Sequence, residues 1–207
     1  MNPEKFKGIE HIFKGIPEDK FDPTATAQKN LESLHGDFIR LGIDIDLSCN
    51  IANSTLKRII ELINTNLSPV RELSPELKTL LGDLKLGESG QRICGDLIES
   101  KKKLNFNIKI SPGVNIGEGV KLGTSVSIGE QTKIGDKVEF HTGTSIGRHC
   151  SEGRNVFFGP DCLIGDNVTI VDSTVFKPKT NVPADSRVVH ENDDNMMAKI
   201  ERRLKIV

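Results

Sequence analysis

Five histidines are the side chains in this sequence best suited to proton transfer near neutral pH: His11, His35, His141, His149 and His190. Because the charge of an imidazole changes close to pH 7, a well-placed histidine can act as a general base. Three carboxylates nearby could orient the rings of His141 and His149: Asp136, Glu139 and Asp161. His141 or His149 is therefore a candidate catalytic base, or both are exposed side chains without a function.

The region that must position these two histidines repeats every six residues, from about Leu104 to Arg187. The first residue of each six is large and apolar, with Glu152 as the exception. These first residues are Leu104, Ile110, Ile116, Leu122, Ile128, Ile134, Phe140, Ile146, Glu152, Phe158, Ile164, Ile170, Phe176 and Val182. The fifth residue is small or β-branched throughout, with only Ile108 larger, and the second is most often glycine. A fixed internal period of this kind sets the architecture ahead of any local propensity.

A period of six fits neither the 3.6 residues of an α-helix nor the alternation of an ordinary strand. We predict a parallel β-helix in which each six residues form a short strand and a corner, and three strands complete one triangular coil. Glycine at the corners is expected because it adopts positive φ without a steric clash. Residues eighteen apart then stack on the same face, which places Phe140, Phe158 and Phe176 in one column.

Glu152 interrupts the second of the three apolar columns. An inward carboxylate would need a partner such as Arg148 or Arg154, because an unpaired buried charge is very costly. We expect instead that the coil bulges outward at the sequence SEGR and exposes Glu152, forming an irregular corner that could face a substrate.

The repeats resemble those of the hexapeptide-repeat acyltransferases, and the end of the region is most similar to serine acetyltransferases. The run RHCSEGRNVFFGPDCLIGDNVTI, followed by VPADSRVV, resembles the RHP, GDNV and VP-x-x-S-x-V segments of that family in order. The resemblance implies a left-handed coil, which is an exception to the usual crossover handedness. It also implies a coenzyme-A-dependent acetyl- or acyltransferase that uses acetyl-CoA and a small hydroxyl or amine acceptor. A homotrimer or a dimer of trimers is implied as well, with the acyl-donor groove between neighbouring subunits.

The resemblance assigns substrate binding to Arg148 and His149, within the RHP-like segment. It places the catalytic Asp-His dyad of serine acetyltransferases on Lys109 and Thr124, so the dyad is not kept. Since a threonine hydroxyl cannot act as a base at neutral pH, either His141 or His149 takes over that role, or the chain does not catalyse. A non-catalytic trimeric scaffold or binding module is the alternative function.

A zinc site like that of the γ-carbonic anhydrases, which share this coil, does not fit the sequence. Such a site needs three histidines, two of them about five residues apart, whereas His141 and His149 are eight apart and His190 follows the repeats. No metal is therefore expected. The four cysteines form no CxxC pair, and Cys150 and Cys162 fall at inward fifth positions, where small buried side chains are expected.

Helices are predicted on both sides of the repeats. The predicted division is a helical region at 1–103, the β-helix at 104–189, and a loop with a C-terminal helix at 190–207. Within the first region, helices are expected at 25–41, from Asn53 or Ser54, from Ser74, and from Ser89 to the lysines at 101–103. The last helix is expected to start near Asn195, with Met197, Ile200 and Leu204 on one side.

Composition excludes several classes of function. The formal net charge is −1, so bulk electrostatic binding of nucleic acid or of an anionic membrane is not expected. No apolar run approaches the roughly 20 residues of a membrane span, and the first residues lack the apolar core of a signal peptide. Together with the scattered cysteines, these features predict a cytoplasmic location.

Overall fold

The computed structural model of the chain describes residues 20–67, 105–192 and 195–202. Within them lie two helices, α1 (Ala27–Arg40) and α2 (Asn53–Leu67), and seventeen strands. The helices predicted from Ser74 and Ser89 lie outside these ranges, and so does Leu104, the first residue of the repeat.

Three parallel sheets form the three faces of a β-helix. The first sheet contains β1 (Ile43–Ile45), β3 (Ile108–Ile110), β6 (Ser127–Ile128), β9 (Ser145–Ile146), β12 (Leu163–Ile164) and β15 (Asn181–Val182). The second contains β2 (Asn50–Ile51), β4 (Asn115–Ile116), β7 (Lys133–Ile134), β10 (Ser151–Glu152), β13 (Thr169–Ile170) and β16 (Ser186–Asn192). The third contains β5 (Lys121–Leu122), β8 (Glu139–Phe140), β11 (Phe157–Phe158), β14 (Val175–Phe176) and β17 (Asn195–Arg202).

The register between neighbouring coils confirms the predicted eighteen-residue stacking. Phe158 pairs with Phe140 on one side and with Phe176 on the other, and all three side chains are buried. Their rings stack at centroid distances of 5.0 and 4.7 Å with 5° between the planes. Such spacing is favourable for offset aromatic stacking, so the phenylalanine column stabilises one face of the coil.

The repeated glycines serve close packing between coils, which corrects the expectation that they provide positive φ. In the repeats, it is the fourth residue of each six that has positive φ, between 50° and 80°, and most of these residues are not glycine. The second-position glycines lie against the backbone of the next coil. A Cβ atom on Gly147, for example, would lie 2.5 Å from the carbonyl carbon of Gly165, so a side chain there has no room.

Polar side chains at the inward fifth positions donate hydrogen bonds to carbonyl oxygens of the next coil. The Thr132 hydroxyl donates to Gly147 at 2.9 Å, and the Cys150 thiol donates to Gly165 at 3.1 Å. The Cys162 thiol donates in the same way to Lys177 at 3.2 Å. The predicted inward burial of Cys150 and Cys162 is confirmed, and these small donors link neighbouring coils through hydrogen bonds.

Burial should make the cysteines of the described ranges unreactive in the folded protein. It raises the pKa of Cys150 to about 11, and it also raises the pKa values of Cys49 and Cys162. The fourth cysteine, Cys94, lies outside the described ranges and is replaced by serine for this test. Because the thiolate is the reactive form, the Cys94→Ser variant should react very slowly with a thiol dye near neutral pH. After unfolding in denaturant, the same variant should titrate three thiols. A fast native reaction would contradict the buried placement of these side chains.

The segment GIDIDLSCNI, between the two predicted helices, contains the first two strands of the β-helix. Ile43–Ile45 pairs with Ile108–Ile110, and Asn50–Ile51 pairs with Asn115–Ile116. After β2 the chain enters α2, which packs against β5 at the edge of the third sheet. α2 therefore occupies the place where another strand of that sheet would lie.

The two helices cover the N-terminal end of the coil. α1 begins after Thr26, whose hydroxyl accepts a hydrogen bond from the backbone N–H of Lys29, and it packs against β1, β2 and α2. Leu34 and Phe38 of α1 and Ile59 of α2 are fully or almost fully buried in one core that continues into the coil. The predicted helices at 25–41 and from Asn53 are thus confirmed, with α1 slightly shorter than expected.

The predicted C-terminal helix is wrong, because Asn195–Arg202 is strand β17. It pairs antiparallel with β16, while β16 continues the second sheet and β17 continues the third. Ile200, expected on an apolar helix stripe, is 38% exposed. A hairpin satisfies the backbone groups at the edges of two sheets, which a helix could not do, and this requirement overrides the helical spacing of the apolar residues.

Candidate functional site

A groove of about 310 Å³ lies between α2 and the edge of the third sheet. Its charged and polar walls are Arg58, Glu61 and Thr65 from the helix and Lys121, Glu139 and His141 from the sheet side. The groove lies where α2, instead of another strand, borders the edge of this sheet. It brings together side chains that are more than fifty residues apart in sequence.

His141 lies at the sheet side of this groove, directly after β8. Its ring packs against Phe157 with a centroid distance of 4.8 Å, and its backbone N–H donates to Phe158 at 3.1 Å. The neighbouring coil carries Gly123 at the equivalent position, where a Cβ atom would lie 2.9 Å from the His141 carbonyl carbon. The imidazole is therefore held by the coil but remains 42% exposed, so a small molecule in the groove can reach it.

Glu139 is the carboxylate beside this imidazole. Its Oε1 lies 3.6 Å from Nε2 of His141, and its Oε2 accepts a hydrogen bond from Nζ of Lys121 at 3.2 Å. A separation of 3.6 Å is too long for a hydrogen bond, but the negative charge favours a proton on Nε2. In a neutral imidazole with its proton on Nε2, Nδ1 is the nitrogen with a free lone pair.

The other two predicted orienting carboxylates have different positions. Asp136 accepts a hydrogen bond from the backbone N–H of Glu118 at 2.9 Å, one coil away. Asp161 occupies a corner position with φ of 59° and lies over Gly143. Of the three candidates, Glu139 is the one that the structure places beside His141.

The helix side of the groove carries a second ion pair. Nη1 of Arg58 lies 2.8 Å from Oε2 of Glu61, one turn further along α2. Both side chains are about half exposed, so the pair can exchange partners with a bound molecule at small cost. With Lys121 and Glu139 opposite, the groove presents both signs of charge around one imidazole.

Arg148 and His149 lie at a different corner of the coil, between β9 and β10, whereas His141 lies between β8 and β9. His149 is exposed and has φ of 56°. The Arg148 guanidinium pairs with Asp166 at 3.0 Å, and its backbone N–H donates to the same carboxylate at 2.8 Å. These hydrogen bonds hold the pKa of Asp166 below its usual value. The structure therefore does not bring the two predicted histidines into one site.

The residues at the family's dyad positions do not form an acid–base pair. Lys109 is exposed on β3. Thr124 lies beside the groove, with its hydroxyl oxygen 3.3 Å from that of Thr142 in the next coil. Neither side chain can accept a proton from a substrate near neutral pH in the way that a histidine can.

The expected outward bulge at Glu152 is wrong. β10 pairs in regular register with β7 and β13, and Glu152 is only 5% exposed inside the coil. Neither carboxylate oxygen has a hydrogen-bond partner among the described residues, and burial raises the pKa of Glu152 well above 4.5. The suggested partners are engaged elsewhere, Arg148 with Asp166 and Arg154 with Asp172.

The contribution of α2 to the groove was missed from the sequence, although a signal for it exists. The segment IDIDLSCNI from Ile43 has the same pattern as IKISPGVNI from Ile108, with matching Ile-x-Ile and Asn-Ile pairs. That match predicts an additional partial coil, and α2 follows it directly. Arg58, Glu61 and Thr65 could then have been placed at the edge of the third sheet.

Two kinds of feature are absent from the described ranges. They contain no group of three or more His, Cys, Asp or Glu side chains placed to hold a metal ion. No helix in this part of the chain is long and apolar enough to cross a membrane.

Comparison with known proteins finds matches among solved structures. No family profile and no curated protein matches the sequence. A serine acetyltransferase isoform 3 from Entamoeba histolytica, in complex with cysteine, is 17% identical; the match covers 91% of this chain and 60% of that one, with a TM-score of 0.36. A variant of GDP-perosamine N-acetyltransferase from Caulobacter crescentus, in complex with CoA and GDP-perosamine, is 19% identical, with coverages of 53% and 64% and a TM-score of 0.28.

The chain thus spans less than two thirds of the length of these proteins. Serine acetyltransferases, the family that the repeats resemble, are among the matches. At these identities and TM-scores the activity of this chain has to be argued from its own residues.

Proposed function

We propose that this chain transfers an acyl group from coenzyme A to a hydroxyl or amine of a small acceptor, with His141 as the general base. The observation that carries the proposal is a partly exposed imidazole, with a carboxylate 3.6 Å from Nε2, on the wall of a groove of about 310 Å³. That volume suits a small molecule. The reaction class and acetyl-CoA as co-substrate come from the resemblance of the repeats to acyltransferases.

In the proposed reaction, Nδ1 of His141 takes the proton of the acceptor as its oxygen or nitrogen attacks the thioester carbonyl. A tetrahedral intermediate forms, and the Lys121 ammonium and the Thr142 hydroxyl are the groove donors that can stabilise its oxyanion. The C–S bond then breaks, and the imidazolium returns the proton to the departing thiolate. Glu139 stabilises the positive imidazolium between these two steps.

The alternative is a non-catalytic scaffold, and one observation favours it. By the resemblance, Lys109 and Thr124 stand at the positions of the catalytic Asp and His of serine acetyltransferases, and these two side chains cannot act as that pair. In that case His141 would be an exposed corner residue, and the groove would bind a ligand without turnover.

The two functions are separated by an acyl-transfer assay. The protein is incubated with acetyl-CoA and either L-serine or simple sugars and amino sugars, and free coenzyme A is measured with a thiol dye in the Cys94→Ser background. Acceptor-dependent release of coenzyme A is the expected result. The enzyme proposal is overturned if there is no turnover and coenzyme A causes no thermal shift.

The assembly belongs to the same proposal. The family resemblance supports a homotrimer or a dimer of trimers in the cytoplasm, with coenzyme A bound between neighbouring subunits. Light scattering of the purified chain should give a trimeric or hexameric mass. If a monomer still transfers acyl groups, the reaction does not depend on the expected trimer or hexamer.

A further inference from the structure

Glu152 is the buried carboxylate in the described ranges of the chain, and the proposed chemistry does not use it. It lies inside the coil on β10, at the position that isoleucine occupies in both neighbouring coils, Ile134 and Ile170. All three of these side chains are at most 5% exposed. A charged residue type thus occupies one place in an apolar column, and the column continues without any change of register.

The groups around Glu152 do not neutralise its charge. Cys150 is the inward titratable group on the same segment, and its thiol donates to the Gly165 carbonyl instead of the carboxylate. The charge of Glu152 contributes to the raised pKa of this thiol. On the neighbouring strand β7, Lys133 is exposed and points away from the core.

The corners on either side of β10 carry the nearest arginines in the sequence. The guanidinium of Arg148 lies 3.0 Å from Asp166, and that of Arg154 lies 3.4 Å from Asp172. Both arginines are well exposed and make their ion pairs on the outside of the coil. From the first and third sheets, the core presents apolar side chains such as Ile146 and Phe158.

We propose that Glu152 is a proton-dependent switch in the core of the β-helix, which keeps its coil closed when protonated and opens it when ionised. Burying a neutral carboxyl without partners is costly, and burying an unpaired carboxylate costs far more. The chain can avoid that larger cost by moving β10 out of the second sheet, so that water reaches the carboxylate.

The direction of the pH dependence follows from the raised pKa of Glu152 in the folded protein. Below about pH 4.5 the Glu152 carboxyl is protonated in both the folded and the unfolded chain. Folding then neither releases nor takes up a proton at this group. Above that pH the unfolded chain loses the proton while the folded chain keeps it. Stability therefore falls as pH rises, until the raised folded pKa is reached.

Opening of this coil would also loosen the wall of the groove, because the coil that contains Glu152 continues into β11. The His141 backbone donates to Phe158 of that strand, and the His141 ring packs against Phe157. The switch itself does not rest on the proposed acyl transfer, since its test measures stability.

The test compares unfolding by denaturant in the wild type and in Glu152→Gln, from about pH 5 to about pH 8. The unfolding equilibrium constant of the wild type, divided by that of the variant, should increase by up to about tenfold for each pH unit. Glu152→Ile, which restores the apolar column, should show the same relative trend and serves if the glutamine variant does not fold. The exposed carboxylate variant Glu130→Gln should keep the wild-type pH dependence.

Parallel pH profiles for the wild type and both Glu152 variants would overturn the proposal. Hydrogen exchange, corrected for intrinsic rates, tests whether the opening is local. The amides of Gly135 and Gly153, which bond to Glu152 and Ile170, should lose protection with rising pH before the Gly123 amide, which bonds to Phe140. Equal loss at all three amides in the wild type would contradict a switch confined to this coil.

Discussion

Replacing His141 with alanine is expected to lower kcat/KM for acyl transfer by about 10²–10⁴-fold, the usual contribution of a general base. The reason is that the proposed reaction uses His141, on the groove wall 3.6 Å from the Glu139 carboxylate, as its proton acceptor. Circular dichroism and thermal melting should show a folded protein, because the side chain is partly exposed and its backbone N–H still bonds to Phe158. The measurement is the rate of coenzyme A release at saturating and limiting acceptor.

His149→Ala is the matched control for this experiment. His149 is also a coil histidine, but it lies at the corner between β9 and β10, outside the groove. Its replacement should leave kcat/KM within about twofold of the wild type, since an exposed side chain away from the reacting atoms contributes little. If the His149 variant loses activity and the His141 variant keeps it, the groove is the wrong site and the RHP-like corner is the right one.

Replacing Phe158 with alanine is expected to lower the free energy of unfolding by about 3–5 kcal/mol. Phe158 is fully buried and stacks between Phe140 and Phe176, with ring centroids 5.0 and 4.7 Å away. Its removal leaves a cavity in the middle of the column, and the neighbouring coils cannot collapse into it without breaking their eighteen-residue register. Denaturant unfolding followed by circular dichroism measures the loss.

The adjacent Phe157 is the control, because it lies on the same strand but points to the outside of the coil. Its side chain is only partly buried, so Phe157→Ala should cost clearly less than Phe158→Ala. Equal losses would mean that the stacked column does not carry the stability of this face. The comparison changes the side of the strand while keeping the residue type and the local backbone the same.

The coil could be predicted from the sequence because its contacts repeat at a constant separation. In a β-helix each inward residue contacts the residue eighteen positions away. The eighteen-residue spacing of Phe140, Phe158 and Phe176 therefore predicts that they stack. Inward and outward positions follow from the same frame. This regularity also predicts the buried positions of Cys150 and Cys162.

The groove could not be predicted in the same way, because its two walls are not related by the repeat. Residues Ile43–Ile51 join the coil, and α2 then lies at the edge of the third sheet. For this reason Arg58 and Glu61 line the same groove as His141. The match between IDIDLSCNI and IKISPGVNI indicates the extra strands, but the position of α2 depends on packing against β5.

His141 and Glu139 were identified as candidates from the sequence by their residue types and their place beside the strand. What the structure added is their separation of 3.6 Å, the contact with Phe157, and the location of His149 at another corner. Distances between side chains depend on rotamers and on the path of the backbone at each corner, which a period of six residues does not specify.

The β-helix, its three faces and its phenylalanine column follow from the sequence pattern, because a repeated hydrophobic frame leaves one regular way to bury every sixth residue. The burial of Glu152, the C-terminal hairpin and the groove beside α2 depend instead on contacts between distant parts of the chain. At Glu152, pairing with β7 and β13 on both sides outweighed the cost of burying the carboxyl. At the C-terminus, the unpaired edges of two sheets outweighed a helical pattern of apolar residues.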